Sequence, residues 1–219
     1  SPTDMGVNQA GNCIFDDEAV RAAAQQEIVR RYYDALCERR QGKGRDETVY
    51  KLELLMQQAK TSTAIRPVVE TAREVEETTG EPAMAIELPD GSIVTGKTSE
   101  LMGCSAAALL NALKALSGQE GHGVHVIAQS AIEPIQTLKV KHLGSVNPRL
   151  HSDEILIALA SSANSDSRAA KALDCISALR GCQAHCSVIL SQADEGTYKK
   201  LGLQLTCEPK YQTNKLYHR

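Results

Sequence analysis

Aromatic residues are scarce in this chain. Its 219 residues include six Tyr, one Phe and no Trp, so that aromatic residues make up 3% of the sequence. A surface that binds single-stranded nucleic acid or sugars by stacking needs several rings. The composition therefore argues against a base-stacking function.

An excess of charge of either sign is also absent. The chain has 24 Lys and Arg against 27 Asp and Glu, which gives a net charge of -3 at pH 7. Such a balance provides no positive field to attract nucleic acid or an anionic membrane. The longest apolar runs, such as residues 155–160, are far shorter than the ~20 residues that span a bilayer. We therefore expect no nucleic-acid partner and no membrane partner.

Signals for secretion and disulfide formation are missing as well. No positively charged start is followed by an apolar stretch and a cleavage site. The seven Cys are an odd, scattered set, which is typical of reduced thiols in a cytoplasmic protein. Residues 1–6 read like the middle of a longer chain. We expect a cytoplasmic fragment whose partner is the missing N-terminal portion of its parent chain.

The sequence divides into a helical segment, residues 1–80, and a second part, residues 81–219. Apolar residues recur at helical spacing over residues 16–79, where Asp46 and Pro67 mark helix starts. Gly80 is a typical residue after the end of a helix. The pattern predicts three helices, of which the first is ended by Gly42 and Gly44.

The second part alternates between strand and helix patterns. A Pro-Asp-Gly turn at residues 89–91 between two apolar runs predicts a β-hairpin. The alternation that follows predicts an α/β fold, namely a three-layer α/β/α domain in which the hairpin leads into a mostly parallel sheet. The predicted helices are 105–116, 130–143, 166–180 and 194–201, and the further strands are 124–128, 154–160, 187–190 and 203–206.

One segment fits the phosphate-loop pattern GxxxxGK[ST] at residues 91–98. Its middle contains three β-branched residues in a row, which favour an extended strand over a curled loop. We therefore predict the second strand of the hairpin here. Lys97, Thr98 and Ser99 nevertheless precede a predicted helix, whose positive end favours an anion.

A second polar segment precedes the strand predicted at 154–160. Arg149 offers a planar fork for carboxylate or phosphate, and His151 titrates near neutral pH. The alternative is a capped, solvated loop without a ligand. The predicted ligand-binding set is Lys97, Thr98, Ser99, Arg149 and His151, and no catalytic residue is assigned.

The Cys182-x-x-His185-Cys186 cluster has residue types that bind zinc or activate a nucleophile. Neighbouring residues of a strand point to opposite faces, and no second Cys pair accompanies them. We therefore predict buried thiols with a partnered His, and no metal. Cys104 is predicted to be a packing residue, and His122 and His125 to face solvent.

Several segments together resemble a known family. They are residues 1–14, 88–99 and 206–211, supported by Arg30-Arg31-Tyr32-Tyr33 and by Asn147-Pro148-Arg149-Leu150-His151. The chain resembles the C-terminal portion of an uncharacterised bacterial protein family of the domain-of-unknown-function, UPF-type class. The resemblance implies longer members with an upstream phosphate-binding loop. It also implies a nucleotide cofactor in the full-length protein and no cofactor in this portion.

The α/β part also resembles the cytidine-deaminase-like layer fold. In that fold zinc is held by a His or Cys before a Glu on one helix and by two Cys at the next helix. The corresponding stretches here are residues 99–104 and 130–135, and the second contains no Cys. The resemblance therefore implies the fold without its zinc chemistry.

Two functions remain open from the sequence. The chain is either the C-terminal part of a nucleotide- or phosphate-binding protein, or a structural or oligomerisation domain with no catalytic activity of its own. The second function implies a homo-oligomer or an apolar face that a partner covers. Whether the chain is an enzyme stays undecided.

Overall fold

The computed structural model describes residues 17–212 except residues 120 and 122. None of the helices described is both long and apolar enough to cross a membrane. A π-helical turn, Leu138–His142, continues the helix Gln129–Thr137. The helices are α1 (Asp17–Arg40), α2 (Asp46–Gln58), α3 (Pro67–Thr79), α4 (Cys104–Leu116), α5 (Gln129–Thr137), α6 (Ser152–Ser162), α7 (Ser167–Asp174) and α8 (Gln192–Leu201). The strands are β1 (Ala83–Glu87), β2 (Ile93–Lys97), β3 (Gln183–Cys186) and β4 (Gln204–Cys207).

The helices α1 to α3 confirm the helical prediction for the described part of residues 16–79. Pro67 occupies the first turn of α3, where its missing N–H costs nothing. Gly80 ends α3 with a φ of 72°, a left-handed conformation that favours glycine. The helix α3 packs on the sheet, since Val68 and Ala72 contact Ala85. The division at residues 80 and 81 stays a prediction.

The sheet has the strand order β2-β1-β3-β4. The predicted hairpin is confirmed, because β1 and β2 pair antiparallel with Ala83 opposite Lys97 and Glu87 opposite Ile93. The pairing of β1 with β3 is also antiparallel, and only β3 and β4 run parallel. The α/β class is thus confirmed, whereas the sheet is mixed and not mostly parallel.

Helices cover both faces of the sheet. On one face Met84 and Ile86 belong to the main core together with Leu109 of α4, and on the other face Ala85 packs against α3. The approach of α4 to β2 is close at Gly96, where a Cβ atom would lie 2.7 Å from the carbonyl carbon of Ala107. Only glycine permits that approach.

Three of the predicted strands differ from the structure. Residues 154–160 lie in α6, where Ile155 and Leu159 are buried and Ile157 is 68% exposed. Residues 124–128 form no strand, and the strand predicted at 187–190 is displaced to β3. A short apolar run fits a buried strand and a helix equally well, and periodicity alone does not distinguish them. The four predicted helices and the last strand are confirmed as α4, α5 with its π-helical turn, α7, α8 and β4.

Candidate functional site

The amino ends of three helices meet at one cavity of about 270 Å³. The first residues of a helix present N–H groups without partners inside the helix and the positive end of its dipole. A cavity at which three such ends meet is therefore suited to negative charge. Its lining includes Gly103, Cys104 and Ser105 of α4, Leu150 and His151 before α6, and Ser191, Gln192 and Asp194 of α8, together with Thr98 and Arg149.

Asp194 connects the three helix ends. Its Oδ1 accepts hydrogen bonds from the Ser105 hydroxyl at 2.8 Å, the Ser152 hydroxyl at 2.6 Å and the Ser152 backbone N–H at 2.8 Å. Its Oδ2 accepts from the Ser191 hydroxyl at 2.7 Å and lies 2.9 Å from Nδ1 of His151. Asp194 is 5% exposed, so these bonds replace most of the hydration of its carboxylate.

The charge states of Asp194 and His151 follow from this contact. Burial alone raises the pKa of Asp194, but the hydrogen bonds from His151, Ser152 and Ser191 outweigh it and hold the pKa well below its usual range. The hydrogen bond with Asp194 raises the pKa of His151, and burial opposes that rise. Because an ionised carboxylate only accepts, Nδ1 of His151 carries the hydrogen between them.

The backbone on both sides of Leu150 is fixed by a buried lysine. Lys139 Nζ donates to the Arg149 carbonyl oxygen at 2.7 Å and to Glu154 Oε2 at 2.6 Å. The same Glu154 oxygen accepts the backbone N–H of His151 at 2.8 Å. These contacts hold His151 at the N-terminal end of α6, where its side chain is 28% exposed.

The structure brings three of the five predicted ligand-binding residues to the cavity, namely Thr98, Arg149 and His151. The Thr98 hydroxyl accepts the backbone N–H of Cys104 at 3.2 Å. Ser99 lies outside the lining, but its carbonyl oxygen accepts Arg149 Nε at 2.6 Å. Lys97 also lies outside and is exposed at the end of β2. Ligand binding by the five residues stays a prediction.

Sequence reasoning missed four members of the polar cluster: Ser105, Ser152, Ser191 and Asp194. The strand wrongly predicted at 154–160 concealed the helix start at Ser152. A signal was present at α8, because Ser191 and Asp194 have the spacing of a helix-capping pair. In the structure the Ser191 hydroxyl accepts the Asp194 backbone N–H at 3.2 Å.

The Cys182-x-x-His185-Cys186 cluster belongs to the packed interior. Cys182 and Cys186 are buried, which confirms that prediction. His185 is also buried, with Nδ1 2.8 Å from the Thr206 hydroxyl and Nε2 3.1 Å from Glu208 Oε1. Within residues 17–212, apart from 120 and 122, no group of three or more His, Cys, Asp or Glu is placed to hold a metal ion.

The two remaining sequence predictions concern Cys104 and the histidines near residue 125. Cys104 is buried, as predicted, and its Sγ lies 3.6 Å from Sγ of Cys186. His125 is exposed, as predicted, and His122 lies outside the described residues. The N-terminal segment 1–14, which carries part of the family resemblance, also lies outside them.

Comparison with known proteins gives two family matches. Residues 1–60 match the model described as domain of unknown function DUF1846, N-terminal, and residues 64–217 match the corresponding C-terminal model. The resemblance to the cytidine-deaminase-like fold and the upstream phosphate loop stay predictions.

Curated bacterial relatives are similar over the whole chain. The "UPF0371 protein DIP2346" of Corynebacterium diphtheriae is 54% identical over 220 residues, which cover 100% of this chain and 44% of the relative. A "UPF0371 protein" of Streptococcus pneumoniae is 48% identical over 219 residues, with the same two shares. The chain thus spans less than half the length of these relatives.

Proposed function

The chain belongs to the bacterial family of the domain of unknown function DUF1846, and we propose that the cavity at the start of α4, α6 and α8 binds a phosphate group of a small molecule. The observation that carries the proposal is the convergence of three helix amino ends with Arg149 and His151 on one cavity. Helix amino ends bind phosphate through their backbone N–H groups and dipole.

The charged side chains of the lining support an anionic ligand. Among the described lining residues, Arg149 and Asp194 carry opposite charges, and His151 adds a positive charge when it is protonated. The Asp194 carboxylate already accepts hydrogen bonds from Ser105, Ser152 and Ser191. An incoming anion therefore meets Arg149 and His151 as the cationic groups of the lining.

The size of the cavity indicates how much of the ligand it holds. Its volume of about 270 Å³ lies just below the range of pockets for small molecules, which is roughly 300–1,000 Å³. A phosphate and a small part of the attached group fill such a space. A nucleotide bound here places its phosphate in the cavity and its base outside.

Calorimetric titration with inorganic phosphate tests the proposal. Arg149→Ala removes a charge-assisted contact of about 1.5–3 kcal/mol, so we expect roughly 10- to 100-fold weaker binding. Arg45→Ala is the matched control, because it removes the same charge from an exposed site outside the cavity. Equal affinities of the wild type and Arg149→Ala contradict the proposal.

A second function is favoured by a specific surface feature. Four apolar side chains of one short segment are exposed: Leu138 by 48%, Val140 by 44%, Leu143 by 71% and Val146 by 73%. Exposed apolar patches often mark an interface. The alternative proposal is an oligomerisation domain in which this segment contacts a second copy of the chain.

Light scattering tests this alternative. If the segment forms the interface, the wild type is a dimer, and Leu143→Glu converts it to a monomer. Tyr50→Glu is the control, because Tyr50 is also exposed, by 60%, but lies on α2. A wild-type monomer counts against the interface.

A further inference from the structure

One ring nitrogen of His151 contacts Asp194, and the other is left for a ligand. Nδ1 lies 2.9 Å from Asp194 Oδ2, and the next contact of the same atom is the Ser191 hydroxyl at 3.5 Å. Within the described residues, both hydrogen bonds of the ring to side chains are made at Nδ1. Nε2 is therefore the ring nitrogen left for an anion bound in the cavity that His151 lines.

The orientation of this ring is fixed by its carboxylate partner. The hydroxyls of Ser105 and Ser152 bind Oδ1 of Asp194, and the Ser191 hydroxyl binds Oδ2. The carboxylate therefore has no freedom to turn away from His151. Asp194 acts as a positioning residue that keeps a hydrogen on Nδ1 in both charge states of the ring.

The two charge states of the ring make different demands on the ligand. A protonated ring donates from Nε2, whereas a neutral ring with hydrogen on Nδ1 accepts at Nε2. Inorganic phosphate retains a hydroxyl near neutral pH and can therefore meet either state. Sulfate carries no proton and meets only the protonated ring.

We propose that His151, positioned by Asp194, makes the cavity selective for a phosphate that carries a proton over a sulfate, and that this selectivity increases as His151 loses its charge. This inference rests on the proposed phosphate-binding function. It assigns the ligand as inorganic phosphate, because a phosphate monoester loses its last proton at about pH 6, before His151 loses its charge.

His151 is the group whose titration controls the effect. Asp194 stays ionised across the neutral range, because its hydrogen bonds hold its pKa low. The hydrogen bond with Asp194 raises the pKa of His151 above its ordinary value, and burial opposes that rise. Within the part of the chain that the structure describes, the titratable and charged groups around His151 are Asp194 of α8, Glu154 of α6, Lys139 of the π-helical turn, Arg149 of the preceding loop, Cys104 of α4 and Tyr211 of the C-terminal segment.

Calorimetric titration of inorganic phosphate and of sulfate at about pH 6 and about pH 9 tests the inference. In the wild type, we expect the ratio of phosphate to sulfate affinity to be at least about tenfold higher at the higher pH than at the lower pH. His151→Asn keeps a donor and an acceptor but does not titrate, so its ratio changes only through the charge of phosphate itself and rises clearly less than in the wild type. His142→Asn is the control and keeps the wild-type behaviour, because His142 lies outside the cavity.

The role of Asp194 needs a readout other than affinity. Asp194→Asn removes the charge that raises the pKa of His151, so an NMR titration of the His151 ring is expected to show a lower midpoint. Ser191→Ala weakens the fixation of Oδ2 and provides a milder variant if Asp194→Asn does not fold. If the midpoint of the His151 titration is unchanged in whichever of these two variants folds, the positioning role of Asp194 is contradicted.

The outcomes separate this inference from the proposed function. If both anions bind and His151→Asn shows the same rise in ratio as the wild type, the selectivity proposal is wrong and phosphate binding stands. A ratio of phosphate to sulfate affinity that is the same at both pH values in the wild type also shows that the selectivity proposal is wrong, while phosphate binding stands. If neither anion binds the wild type, both proposals are wrong.

Discussion

The imidazole Nδ1 of His151 lies 2.9 Å from the carboxylate Oδ2 of Asp194, a residue 43 positions later in the chain. The contact joins the start of α6 to the start of α8. Through the Ser105 hydroxyl, the same carboxylate also reaches α4. One buried charge thus holds three helix amino ends around the cavity, and the other ring nitrogen of His151 remains for a ligand.

Asp194→Asn is expected to destabilise the protein strongly. The change removes a buried carboxylate and leaves several hydroxyl and N–H donors without a full acceptor, which costs about 3 kcal/mol or more. Urea unfolding measures the loss of free energy. Asp174→Asn is the control, because Asp174 is exposed at the end of α7 and should change the free energy by less than about 0.5 kcal/mol. Equal effects of the two substitutions contradict the role given to Asp194.

The contact also predicts how stability depends on pH. The pKa of His151 is raised in the folded chain above its unfolded value of about 6.5. Its stabilising contribution is therefore complete below that pH and is lost as the pH rises through the folded pKa. Urea unfolding from about pH 6 to about pH 9 should show this loss in the wild type and in His142→Asn, but not in His151→Asn. Parallel pH profiles for the wild type and His151→Asn contradict the raised pKa.

Gly96 and Gly196 form a matched pair for a test of the fold. In Gly96→Ala the new methyl group meets the backbone of α4, with 2.7 Å to the carbonyl carbon of Ala107. We expect the free energy of unfolding to fall by about 3 kcal/mol or more, because the backbone atoms in contact cannot move aside. In Gly196→Ala the methyl group meets nothing within 4 Å, and the change should stabilise α8 by about 0.5–1 kcal/mol. Thermal unfolding compares the two, and a mild effect at Gly96 contradicts the packing of α4 on β2.

Arg66 stabilises the face of the sheet opposite α4. It is 1% exposed, and its Nη2 donates to the carbonyl oxygens of Ala184 and Gln204 and to the Thr206 hydroxyl. Burial lowers its pKa to about 10, so it remains charged at neutral pH. Arg66→Lys loses the planar fork, and we expect a cost of about 2–4 kcal/mol in urea unfolding. The exposed Arg45→Lys should be neutral, and a neutral Arg66→Lys would show that the network contributes little.

The elements with strong local signals were predictable from the sequence. Pro67, Gly80 and the turn that ends at Gly91 mark boundaries that the structure reproduces. The run at residues 154–160 was not predictable as a helix, because six adjacent apolar residues carry no period. The direction of strand pairing was not predictable either, since it depends on which strand comes to lie next to β1.

The candidate site was predictable in part. Arg149 and His151 were found by residue type, because few other side chains recognise anions or titrate near neutral pH. The sequence did not show which of the neighbours Lys97 and Thr98 belongs to the cavity. Adjacent residues point to opposite sides, and in the structure only Thr98 is buried and lines the cavity. Asp194 was missed because its role arises from contacts with residues far away in the chain.

The account depends most on phosphate binding beside His151. The direct measurement is an NMR titration with inorganic phosphate that follows the ring signals of His151 and His142 in one sample. We predict that the His151 signals shift and saturate with added phosphate while the His142 signals stay in place. His151 signals that do not move at high phosphate, or that move only in parallel with those of His142, would contradict the account.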